Sequence, residues 1–63
     1  SFDEEKVELA EVILDFIIDN KTSTLKKISK KLKISERLTE KNIKILERDN
    51  KVYEKNGKYY VTG

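Results

Sequence analysis

Cysteine and histidine are both absent from the 63 residues. That excludes disulfides, thiolate or imidazole metal sites, and imidazole-based catalytic triads, so stability has to come from apolar packing. Methionine is missing too, initiator included, which predicts a domain cut from a longer protein. The longest apolar stretch, Val12 to Ile18, is interrupted by Asp15 and falls well short of the roughly 20 residues a membrane span needs. The acidic first residues do not suit a secretory signal. The two glycines are Gly57 and Gly63, so no glycine-rich phosphate loop exists. Activating a Ser or Thr would fall to a Lys base, and no Ser–Lys pair sits in a catalytic setting. The expectation is a protein that is not an enzyme and carries no cofactor or metal.

Charge is abundant and unevenly placed. Residues 1–19 hold seven acids and one base, whereas residues 20–63 hold thirteen bases and five acids, so the net charge of +2 conceals opposed ends. A chain this short forms one domain that buries only about 60% of the surface its unfolded form exposes, so the core must be simple.

Apolar periodicity predicts three helices. The first runs from Asp3 to Asp19, with Val7, Ala10, Leu14, Ile17 and Ile18 inward and early acids suited to a helix N-terminus. Leu9, Val12, Ile13 and Phe16 widen its apolar arc, leaving a narrow strip of Glu4, Glu8, Glu11, Asp15 and Asp19. Of these, Leu9, Val12 and Phe16 are the candidate surface for a second copy or a partner protein. Thr24 caps a second helix in which Leu25, Ile28 and Leu32 face inward and Lys26, Lys27, Lys30 and Lys31 outward. After a turn of Lys33, Ile34 and Ser35, Ser35 caps a third helix from Glu36 to about Arg48. Its inward face is Leu38, Thr39, Ile43 and Leu46, with Leu38 and Ile45 at one edge, and Asn50 is its left-handed stop.

The remaining segment reads KVYEK, Asn56-Gly57, KYYVT, a two-residue type I′ hairpin. The turn sets the pairing: Lys55 with Lys58, Glu54 with Tyr59, Tyr53 with Tyr60, Val52 with Val61. Val52, Val61 and Tyr59 should cover the core. Tyr53 and Tyr60 are read as a cross-strand aromatic pair rather than a platform for unpaired bases. Thr22 to Thr24 is expected to add a short third strand, because a two-stranded ribbon is marginal alone.

Three helices and a hairpin, with Leu32-Lys33-Ile34-Ser35 at the turn, Thr39, Ile43 and Leu46 on the third helix, and Asn50 and Val52 before the wing, resemble the winged helix-turn-helix domains of bacterial and archaeal transcription regulators. The likeness spans almost the whole chain. Lys33 and Asn50 stand where that family places glycine. The resemblance implies an α+β, mainly α, single domain over residues 1–63. It also implies double-stranded DNA as partner, with the third helix in the major groove.

On a wheel of about 100° per residue, Arg37, Lys41, Lys44 and Arg48 fall within a strip of about 60° opposite the apolar side. Glu36, Glu40 and Glu47 run beside it and invite pairs such as Glu40 with Lys44 and Glu47 with Lys51. Lys26, Lys27 and Lys30 are the candidate phosphate clamps, Ser35 is placed at the entry to the third helix, and Lys55 and Lys58 flank the hairpin tip. The expected setting is the cytoplasm, on the nucleoid, with no membrane contact. A protein-docking winged helix in a larger replication or cell-division assembly is the alternative, because that scaffold also serves as a docking module.

Overall fold

The computed structural model describes residues 2–63, with side chains from Leu9 onward. Its elements are α1 (Phe2–Asn20), α2 (Leu25–Leu32), α3 (Glu36–Arg48), β1 (Val52–Lys55) and β2 (Lys58–Val61). The architecture is α+β and mainly helical, three helices followed by a two-stranded antiparallel hairpin, in a winged-helix-like order.

Each helix contributes isoleucine to one core. Ile13 and Ile17 of α1, Ile28 of α2 and Ile43 of α3 are fully buried, joined by Ala10, Leu46 and Val52. Fully burying each such side chain contributes about 1.5–3 kcal/mol, which is how 63 residues hold together without cross-links. Leu25, Leu32, Ile34, Tyr59 and Val61 pack around this centre.

Local chemistry explains the boundaries. Thr24 Oγ1 accepts from Lys27 N at 3.2 Å, and Ser35 Oγ accepts from Leu38 N at 3.0 Å, so α2 and α3 both begin on the expected caps. At the other end, α1, α2 and α3 all stop on a left-handed residue that is not glycine: Lys21, Lys33 and Asn50, with φ of 64°, 57° and 59°. Around Lys33 the Ile34 N–H reaches Ser29 O at 3.0 Å. Around Asn50, Lys51 N donates to Leu46 O at 2.8 Å and Asn50 N to Glu47 O at 3.0 Å. These six-to-one and five-to-two bonds form a Schellman ending, which satisfies the last carbonyls at the cost of left-handed strain.

The hairpin has the expected register, Val52 with Val61 through Lys55 with Lys58. Asn56 and Gly57 both take positive φ, 55° and 79°, as a type I′ turn requires, and Glu54 Oε2 accepts from Gly57 N at 3.0 Å.

Three expectations need correction. The third strand at Thr22 to Thr24 is a single bridge, Ser23 with Tyr59, so the sheet stays two-stranded. The chain has just left α1 through Lys21 and enters α2 at Leu25, which leaves no length for a strand. Ile18 points outward and is 49% exposed, while Ile13 takes a central place, because the buried side of α1 centres on Ala10, Ile13 and Ile17. Glu47 and Lys51 form no ion pair: α3 ends at Arg48 and Asn50 turns the chain away before Lys51. Val7 was also expected inward, but its side chain lies outside the described residues.

Candidate nucleic-acid interface

The buried residues of α3 are Thr39, Asn42, Ile43 and Leu46. Helical geometry puts Arg37, Lys41, Lys44 and Arg48 directly opposite that face, and all four are exposed. Two of them have partners: Lys44 Nζ lies 3.7 Å from Glu40 Oε1, and Arg48 Nε lies 3.5 Å from Asp49 Oδ1. Both pairs are solvent-exposed, and such contacts contribute little and yield readily to a competing anion.

On α2, Ile28 and Ser29 are buried, and Lys26, Lys27, Lys30 and Lys31 are exposed on the other side. No acid occupies the first turn of α2, so its N-terminal partial charge is uncompensated from within the helix. Ser35, at the joint between the two helices, spends its hydroxyl on the α3 cap. Lys55 and Lys58 are exposed at the hairpin turn, across the strands from each other.

Two acids of α3, Glu40 and Glu47, act on Tyr59 in the hairpin. Burial pushes the Tyr59 phenol above its ordinary pKa, and the carboxylates of Glu47, Glu54 and Glu40 push it further. Glu54 is opposite Tyr59 in the register. Glu40, Glu47 and Glu54 thus lie near enough to Tyr59 for their charges to act on it.

The opposite edge of α3 is apolar. Leu38 is 40% exposed and Ile45 half-buried; with Lys41 and Asn42 they line a shallow groove of about 130 Å³. Ile45 also lines a larger groove of about 320 Å³ with Ala10, Leu46, Arg48 and Lys51, and two acids, Glu11 of α1 and Asp49, stand at it as well. Among the described residues, no cluster of acids suits a metal ion.

The candidate partner surface on α1 is divided. Leu9 and Phe16 are half-buried and pack against the core, whereas Val12 is 46% exposed. Glu11, Asp15 and Asp19 are exposed and fall on the outer side of α1, away from Ile13 and Ile17. Among the described residues, no helix is long and apolar enough to cross a membrane.

Sequence reasoning missed two buried polar side chains near this surface. Asn42 Nδ2 donates to Leu38 O at 2.9 Å, and Ser29 Oγ donates to Lys26 O at 3.0 Å. Both look like surface residues by type, and only their position on the inward arc, between Thr39 and Leu46 or beside Ile28, signals burial.

No protein-family model, curated protein or solved structure matches this chain.

Proposed function

We propose that the chain is a winged-helix domain that binds double-stranded DNA, with α3 in the major groove and Lys26, Lys27 and Lys30 on the phosphates. The observation that carries this reading is the row of Arg37, Lys41, Lys44 and Arg48, four exposed cations opposite the buried side of α3. A helix that is anchored on one face and cationic on the other is the shape and charge that a duplex groove accepts. Lys55 and Lys58 add contacts to flanking phosphates from the wing. Asp15 and Asp19 on the outer side of α1 are then turned from the DNA, whereas Glu11 shares the 320 Å³ groove with Arg48 and stands at the edge of the binding face. A role in transcription regulation on the nucleoid follows from the likeness to regulator domains.

The test is a chemical-shift titration with a generic duplex at low and moderate salt. Shifts confined to α2, α3 and the hairpin support the reading; no saturable shift at low salt ends it.

A second reading, docking of a partner protein, is favoured by the 320 Å³ groove and by Val12 exposed on α1. It predicts that neutralising Lys41 and Lys44 leaves partner capture intact.

A further inference from the structure

The outer face of the hairpin is a second basic surface, separate from α2 and α3. Strand alternation places Tyr53, Lys55, Lys58 and Tyr60 on the side away from Val52, Val61 and Tyr59. Lys51, whose carbonyl accepts from Thr62 N at 2.9 Å, continues the ladder on that side at the foot of β1, where it also borders the groove of Glu11 and Asp49. Lys51, Lys55 and Lys58 are all exposed. The one acid of the two strands, Glu54, is on the other face, where its carboxylate accepts from the turn. The outer face is thus cationic with no carboxylate of the hairpin in it.

Its centre is aromatic. The rings of Tyr53 and Tyr60 stack, with centroids 5.4 Å apart and planes inclined by 19°. Stacking accounts for hairpin stability, but it does not use up the pair: Tyr53 remains 48% exposed. The half of Tyr53 that remains in water adds nothing to folding, and a flat ring already held within 19° of parallel to its neighbour is ready to extend the stack by one more ring. Lysines before, beside and across from it supply the charge that a phosphate chain requires.

We propose that this face binds single-stranded nucleic acid, an unpaired base stacking on Tyr53 while Lys51, Lys55 and Lys58 hold the adjoining phosphates. Base stacking on an aromatic ring tolerates any sequence, because every base has a π-face, so the site reads strandedness and not sequence. The inference goes beyond duplex binding: it shares Lys55 and Lys58 with the wing contacts of that reading but uses none of the α2 or α3 residues, so it can stand if duplex binding fails.

The test compares a short oligothymidylate with an abasic oligonucleotide of equal length, which has the same charge and no bases. Anisotropy of a dye on each strand measures both affinities, and because the chain has no tryptophan and three tyrosines, quenching of tyrosine emission by the oligothymidylate reports the stacking itself. The oligothymidylate is expected to bind about tenfold tighter than the abasic strand. Tyr53→Leu should remove that preference and Tyr53→Phe should keep it. The comparison in the unaltered protein stands even where Tyr53→Leu weakens the fold. Equal affinity for the two strands, or a preference that survives Tyr53→Leu, overturns the proposal. The doubly reversed Lys41→Glu, Lys44→Glu variant separates the two surfaces. It should lose duplex binding and keep the single strand; losing both shows that the hairpin is no independent site. Single-strand binding with no duplex binding in the unaltered protein overturns the duplex reading and leaves this one standing.

Discussion

Ser23 and Tyr59 exchange both backbone hydrogen bonds: Ser23 N donates to Tyr59 O at 3.2 Å, and Tyr59 N donates to Ser23 O at 2.7 Å. One residue of the α1–α2 connection thereby ties the hairpin to the helices. Both Ser23 Oγ and the neighbouring Thr22 Oγ1 are buried without a hydrogen-bond partner among the described residues. The bridge needs the Ser23 backbone, not its hydroxyl. Ser23→Ala is therefore expected to be neutral or stabilising by up to about 1 kcal/mol in thermal or urea unfolding, because an unsatisfied buried hydroxyl is removed. Destabilisation beyond 1 kcal/mol would reveal a partner for Oγ.

Tyr59 predicts an alkaline dependence. Its folded-state pKa lies above the ordinary value, with burial as the first cause and Glu47, Glu54 and Glu40 adding to it. A raised pKa means that folding favours the neutral phenol. The stability it confers is fully present below about pH 10 and lost as pH rises through the folded pKa. Melting temperature followed from pH 8 to 11 should fall less steeply for Tyr59→Phe than for the unaltered protein. Parallel curves would exclude Tyr59 as the titrating group, lysine titration being common to both proteins.

Lys33 ends α2 in the left-handed region at φ 57°. A side chain there pays a steric penalty that glycine avoids. Lys33→Gly is expected to stabilise the fold by about 0.5–1 kcal/mol, the relief of strain exceeding the added flexibility of the unfolded chain. Lys21→Gly should act in the same direction. A lower melting temperature for both would show that the lysine side chains contribute more than their backbone costs.

Ser35 caps α3 through its hydroxyl. Ser35→Ala should cost about 1 kcal/mol of unfolding free energy, while Ser35→Asp should retain the cap and favour the helix dipole. Reversing Lys41 and Lys44 touches no cap and no buried atom but replaces the Glu40–Lys44 pair with a like-charge pair, so it should cost no more than about 1 kcal/mol.

For duplex DNA, log affinity should fall linearly with log salt, with a slope corresponding to roughly four to seven neutralised phosphates. Removing one clamp lysine, as in Lys27→Ala or Lys30→Ala, should lower that slope by about one and weaken all sequences alike. Lys41→Glu with Lys44→Glu should abolish binding. An isothermal titration series over salt measures all three, and affinity independent of salt would remove the electrostatic mechanism.

Helix ends and the hairpin were legible because their signals are local. Thr24 and Ser35 bond to amides three residues on, and Asn56-Gly57 dictates both turn and register within ten residues. The opposition of the α3 cations to its buried face was equally readable, because a helix converts spacing into direction. Ile18 and Ile13 were not separable in the same way. Both lie on a wide apolar arc, and which edge of that arc is covered depends on where α2, α3 and the hairpin come to rest.

The chain by itself determined the three helices and the hairpin, where each begins and ends to within about a residue, which strand residues face each other and which side of α2 and α3 is cationic. All of these follow from interactions within about one turn or one hairpin. Tertiary structure alone decided that the Thr22 to Thr24 segment reduces to the Ser23 bridge, that Ile13 is covered while Ile18 is left exposed, and that Glu40 and Glu47 of α3 act on Tyr59. It also decided that Tyr53 stays open to water beside three lysines. Those outcomes depend on how separate elements pack, and packing sums many weak contacts between residues far apart in sequence, which no local pattern encodes.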